Sequence, residues 1–167
     1  MEKKLVVFYS WGNNTKAVAE YIAEQTGADM LELKVKEEYP ANYNECVTKV
    51  GALGKKNEPE LETVIPNLSD YSEIFIGSPC WWGTIANPVR TFLHQNDLSG
   101  KTIYPFMTHG SSGIHVEDIH ALCPKANVTS GLSIFNEYQI STKTNTTKNM
   151  GDYKAKVEQW LGEVICC

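Results

Sequence analysis

Leu5-Val6-Val7-Phe8-Tyr9, followed by Ser10-Trp11-Gly12-Asn13-Asn14-Thr15, is the stretch that decides the fold. Its first five residues are apolar and rich in β-branched and aromatic side chains, the pattern of a short buried strand. The run stops at small hydroxyl and amide residues, and a helical pattern begins at about Thr15. A loop between the carboxyl end of a strand and the amino end of a helix presents unpaired backbone N–H groups, which suit an anion such as phosphate. Ser10, Asn13, Asn14 and Thr15 add side-chain donors, and no carboxylate lies in residues 10–15 to repel the anion.

The same alternation continues along the chain. The helix from about Thr15 to Thr26 carries Val18, Tyr21 and Ile22 on one face, with Gly27 suited to the left-handed position that ends it. A strand is predicted at about Asp29–Leu33, then a helix at about Tyr43–Leu53 with an apolar stripe of Tyr43, Cys46, Val47 and Val50. Ile74–Gly77 reads as the third strand, Pro88–Gln95 as a helix and Thr102–Met107 as the fourth strand. A short helix at about Val116–Leu122 precedes the last strand, Val128–Phe135, which Gly131 interrupts. Residues 141–149 read as an exposed polar loop, and the closing helix places Tyr153, Val157, Trp160, Leu161 and Val164 on one face. Five apolar strands separated by amphipathic helices call for an α/β fold with a parallel sheet covered on both faces. The expected architecture is one domain over residues 1–167, a doubly wound five-stranded sheet of order 2-1-3-4-5 in a three-layer α/β/α sandwich. Ligands of such sheets bind at the carboxyl edge near the switch point between strands one and three. The loops after strands one, three and four would meet there.

Bulk properties narrow the function. The 167 residues are 42% hydrophobic and 21% charged, the balance of an ordinary globular protein. No apolar run nears the roughly 18 residues of a membrane span. The five-residue opening run is too short for a secretory signal core, so a cytoplasmic location is expected. A net charge of −5 argues against nucleic acid as a partner. Five cysteines without C-x-x-C or zinc spacing read as free thiols, and no metal site is expected.

The second loop runs Ser78-Pro79-Cys80-Trp81-Trp82-Gly83-Thr84. At a strand's carboxyl end a large flat ring is well placed to cover a planar ligand. Pro79 stiffens the start of this loop, and Gly83 and Thr84 let backbone approach closely. The third loop, Thr108-His109-Gly110-Ser111-Ser112-Gly113, is rich in backbone donors and could close the far side of a flat heterocycle. Cys80 reads first as a small filler, and only second as a thiol whose oxidation would modulate binding.

Together these loops resemble those of the flavodoxins, especially compact members with P-x-W-W-G and T-H-G-x-S-G loops. The resemblance extends from Leu5 to the helix around Trp160 and includes Tyr39-Pro40 and Asn42-Tyr43-Asn44-Glu45-Cys46. The family's first loop reads S/T-x-T-G-N-T and holds the phosphate of FMN. Ser10, Asn14 and Thr15 match it, Trp11 takes the variable position, and Gly12 and Asn13 stand where the family has Thr and Gly. The resemblance implies FMN as cofactor, with Pro79 to Thr84 along the isoalloxazine ring and Thr108 to Gly113 at its other edge. It also implies a backbone flip beside the flavin, for which Gly83 is the expected hinge. Its members carry electrons between redox partner proteins, a reductase and an acceptor, so such an exchange is expected here, in a monomer or weak dimer. An NAD(P)H-dependent FMN oxidoreductase acting on quinones is the alternative on the same scaffold. A receiver domain is disfavoured because Ser10 and Ser78 stand where it needs acids. A low-molecular-weight phosphatase would need C-x5-R, which Cys80 lacks, and no dinucleotide or P-loop glycine motif is present.

Overall fold

Lys3–Phe8 forms β1, and it pairs in parallel on both sides, with β2 (Asp29–Glu32) and with β3 (Tyr71–Trp81). These pairings come from a computed structural model that describes residues 2–110, 113–136 and 150–165. Ser111, Ser112, Cys166, Cys167 and the loop read at 141–149 lie outside the described residues. Alternation along β1 sends Leu5, Val7 and Tyr9 to one core and Val6 and Phe8 to the other. The first core packs against α2 (Tyr43–Leu53), α3 (Asn87–Gln95) and α4 (Glu117–Leu122) through Val50, Phe92 and Ile119. The second packs against α1 (Asn14–Thr26) and α5 (Tyr153–Ile165) through Ile22, Val157 and Trp160. Helices on both faces of a parallel sheet make the expected three layers. Among the described residues, no helix is long and apolar enough to cross a membrane.

Helix ends follow the sequence closely. Asn42 Oδ1 accepts the Glu45 N–H at 3.1 Å and starts α2. Gly27, at φ 69°, donates to the Ala23 carbonyl and ends α1.

β3 also pairs in parallel with β5 (Thr102–His109), which gives the spatial order β2-β1-β3-β5-β6. With the strands renumbered, this is the expected 2-1-3-4-5. Two details differ from the reading of the sequence. The last strand is split into β6 (Asn127–Val128) and β7 (Leu132–Phe135), both beside β5. Four steps separate Val128 from Leu132, whereas their partners Ile103 and Phe106 are three apart, so one extra residue bulges out. Gly131 is required there, because a Cβ would lie 2.2 Å from Ile114 Cδ1 and 3.1 Å from the Pro105 carbonyl.

The second difference concerns the loop predicted at residues 78–84. β3 runs on through Trp81, with Ser78 and Pro79 in register with Met107 and Thr108, and then folds back as β4 (Thr84–Ile85). The expected loop is therefore a β-hairpin, with Trp81 paired to Thr84 across a two-residue turn.

Candidate functional site

The carboxyl ends of β1, β3 and β5 open onto a cleft of about 360 Å³, within the range of ligand pockets. Its first side is the turn from β1 into α1. Ser10 Oγ donates to the Gly12 carbonyl at 2.8 Å and accepts the Lys16 N–H at 3.3 Å, curling the loop in front of the helix. The Ala17 N–H bonds back to the Asn13 carbonyl, so the amides of Asn14 and Thr15 precede the point where α1 supplies acceptors. Asn14 lines the cleft, and its Oδ1 is buried without a hydrogen-bond partner. Turned over, the same amide would offer its NH₂. A buried polar atom left unpaired costs about 1–3 kcal/mol, so the site gains from a polar ligand. Thr15 and Thr108 share a buried hydroxyl–hydroxyl bond of 2.8 Å that ties this loop to the end of β5. Trp11 and Gly12 also line the cleft, whereas Asn13 is exposed and does not.

The hairpin forms the second side, through Pro79, Cys80, Trp81 and Trp82. Trp81 is set edge-on to Tyr9 at 5.3 Å and to Tyr39 at 5.0 Å. Trp82 and Gly83 have φ of 52° and 79°, the all-positive pattern of a type I′ turn. The turn projects Gly83 into solvent, and Thr84 is buried with its hydroxyl on Asp118 at 2.5 Å. Neither Gly83 nor Thr84 lines the cleft.

Thr108, His109 and Gly110 make the third side. The Gly113 N–H donates to His109 Nδ1 at 3.1 Å, which puts the ring proton on Nε2 and lets it donate to Ser133 Oγ at 2.7 Å. Burial, assisted by His115 and Lys156, pushes the His109 pKa below its ordinary value and keeps the ring neutral. Gly113 thus acts by fixing His109, outside the lining itself. Ser111 and Ser112 lie outside the described residues.

The fourth side was not anticipated. Tyr43, Cys46, Val47 and Val50 of α2 face the cleft, as does Asn136 after β7. The α2 stripe was legible at helical spacing, but the same spacing serves a core. Trp11 joins this side to the first loop: its Nε1 donates to the Pro40 carbonyl at 3.0 Å and its ring meets Tyr43 edge-on at 6.2 Å. No Asp, Glu, Lys or Arg is among the described residues that line the cleft. The arrangement can hold an anionic tail by helix-end amides and hydroxyls, and a flat apolar body between indoles.

A family model described as Flavodoxin matches residues 3–152. Among solved structures, a candidate flavoprotein of Bacteroides uniformis is 25% identical, with 96% of this chain and 97% of that chain covered at a TM-score of 0.77. A flavoprotein of Lactobacillus acidophilus, solved in complex with FMN, is 28% identical over 80% of this chain and 93% of that one, with a TM-score of 0.67. A Fusobacterium nucleatum flavodoxin bound to flavin mononucleotide is only 8% identical, over 99% of this chain and 98% of that one, and its TM-score of 0.57 speaks to the fold alone.

Proposed function

We propose that this chain, which belongs to the flavodoxin family, binds FMN in the cleft and carries electrons between redox partner proteins. One observation supports this most: a cleft, uncharged among its described lining residues, that joins the amino end of α1 to a wall of indoles at the switch point of a parallel sheet. The amides of Asn14 and Thr15, with the side chains of Ser10 and Asn14, suit the phosphate. Asn14 Oδ1 has no partner as it stands, and the same amide turned over would donate its NH₂ to the phosphate. Trp81, Trp82, Thr108, His109 and Gly110 would hold the ring. FMN, when bound, supplies the chemistry of accepting and releasing electrons. The protein's own part is to bind, orient and dry the ring.

Each residue contributes to that part in a definite way. Trp81, wedged between Tyr9 and Tyr39, is a fixed wall, whereas Trp82 on the turn can adjust. Neutral His109 holds Gly113 by accepting its N–H and adds no positive charge beside the ring. The absence of lysine and arginine from the described lining residues disfavours extra negative charge on the ring and should lower its potential relative to free FMN.

The expected partners are a reductase and an acceptor protein, met by a monomer or weak dimer in the cytoplasm. The apolar α2 side supports a second reading, an NAD(P)H-dependent oxidoreductase acting on quinones, because Tyr43 and Val47 give a small acceptor apolar surface beside the ring. Mixing the FMN-loaded protein with NADPH or NADH, without any reductase, separates the two. A carrier keeps its flavin absorbance until a reductase is added. Rapid direct bleaching would overturn the carrier reading in favour of the enzyme.

A further inference from the structure

Outside the cleft lining, a chain of polar side chains runs behind the hairpin. Thr84 of β4 donates its hydroxyl to Asp118 Oδ2 at 2.5 Å, and the same oxygen accepts from Arg90 Nη2. Arg90 Nε in turn donates to the Lys55 carbonyl at 2.8 Å. The chain therefore links β4, α4, α3 and the connection that follows α2. Arg90 is buried, although a buried ion pair gains little net stability over apolar side chains of the same size. What such a pair offers is fixed geometry. Burial works to raise the Asp118 acid, but the Thr84 hydroxyl and the Arg90 guanidinium outweigh it and hold the carboxylate below its ordinary range.

The hairpin turn has need of that geometry. Trp82 sits at φ 52°, a left-handed conformation that is costly for any residue with a Cβ and persists only when its surroundings impose it. Thr84 is the first residue after the turn and is paired with Trp81, so holding its side chain holds the turn. The same helix, α3, pins the chain beyond α2. Asn87 Nδ2 donates to the carbonyls of Gly54 and Asn57 at 2.9 and 2.8 Å, and Thr91 Oγ1 to that of Pro59 at 2.8 Å. Two walls of the cleft, the hairpin and α2, are thus tied to α3.

We propose that Thr84, Asp118 and Arg90 form a positioning brace that holds the Trp82-Gly83 turn in its left-handed form and thereby sets the affinity of the cleft for a planar ring. The proposal rests on the reading of the cleft as an FMN site. Thr84→Val removes one hydroxyl at nearly constant shape, Asp118→Asn removes the ion pair, and Thr84→Ser restores the hydroxyl. Amide exchange across residues 81–84 is read in the apoprotein, and FMN affinity by titration. In Thr84→Val both exchange rate and Kd for FMN rise roughly tenfold, the scale of a lost hydrogen bond to a charged group. Asp118→Asn moves both in the same direction, and Thr84→Ser returns both to within about twofold of wild type. Unchanged exchange in Thr84→Val, or faster exchange with unchanged FMN affinity, overturns the brace. If the wild-type apoprotein takes up no FMN, the FMN reading fails instead, and the exchange comparison alone decides whether the brace orders the turn.

Discussion

Gly51→Ala should make the apoprotein more stable and its site worse. Gly51 lies in the last turn of α2, where glycine costs a helix up to about 1 kcal/mol relative to alanine. Near a helix end the gain from alanine falls at about 0.5–1 kcal/mol. For a chain of this size that raises Tm by about 1–4 °C. Against the gain stands a clash: a Cβ at Gly51 would lie 2.8 Å from Trp82 Cζ2 and 3.3 Å from Cε2. The neighbour is the far end of one indole, and Trp82 is 52% exposed, so the ring can swing out instead of straining the core. Helix propensity therefore decides the stability, and the displaced indole decides the binding. Loss of one ring–ring contact is worth about 0.5–1.5 kcal/mol, a weakening of FMN binding by roughly two- to twelvefold. Thermal melts of the apoprotein and fluorescence titration with FMN measure the two effects. In a Trp82→Ala background the affinity effect of Gly51→Ala should vanish, since the pair is coupled through one contact. A variant less stable than wild type, with FMN affinity intact, would refute the reasoning: Trp82 would then be fixed and irrelevant to the ligand.

Three further outcomes follow from the packing and the titratable groups. Gly77→Ala should destabilise the protein by about 1–3 kcal/mol, because a Cβ would lie 2.2 Å from Phe106 Cζ in the core; urea denaturation of Gly77→Ala, alone and with Phe106→Leu, checks it through partial rescue in the double variant. Thr15→Val and Thr108→Val should each cost about 1–3 kcal/mol by leaving the other hydroxyl unpaired, and the double variant should lose less than the sum in the same assay. His109 has a folded pKa below its ordinary value, so as pH falls through about 6.5 the unfolded chain takes up a proton that the native ring refuses. Stability is then lost from that pH down to the lower folded pKa, and melts across this window should show a smaller loss in His109→Gln than in wild type.

The sheet was legible because its strands are continuous apolar runs, α1 because Gly27 marks its end, and α2 because Tyr43, Cys46, Val47 and Val50 recur at helical spacing. The hairpin was not. Two-residue turns of this type are signalled by Asn-Gly or Asp-Gly, and Trp82-Gly83 carries an indole at positive φ that local propensity opposes. Its geometry depends on Thr84, Asp118 and Arg90, which are distant in sequence. The α2 wall was hidden for a different reason. Cys46 and Val50 are buried and behave as core, while Tyr43 and Val47 on the same stripe remain half-buried and face the cleft. Periodicity finds a face but does not say whether protein or ligand covers it. Gly51 has a similar history: its reason is the indole of Trp82, which no local pattern reveals.

Calorimetric titration of the apoprotein with FMN and, in parallel, with riboflavin tests the central claim most directly, since the two differ only by the phosphate. A cleft that grips a flavin ring between indoles and a phosphate at the amino end of α1 should bind one FMN per chain, and riboflavin at least roughly tenfold more weakly. Equal affinity for the two, or no heat of binding from FMN, would contradict the account.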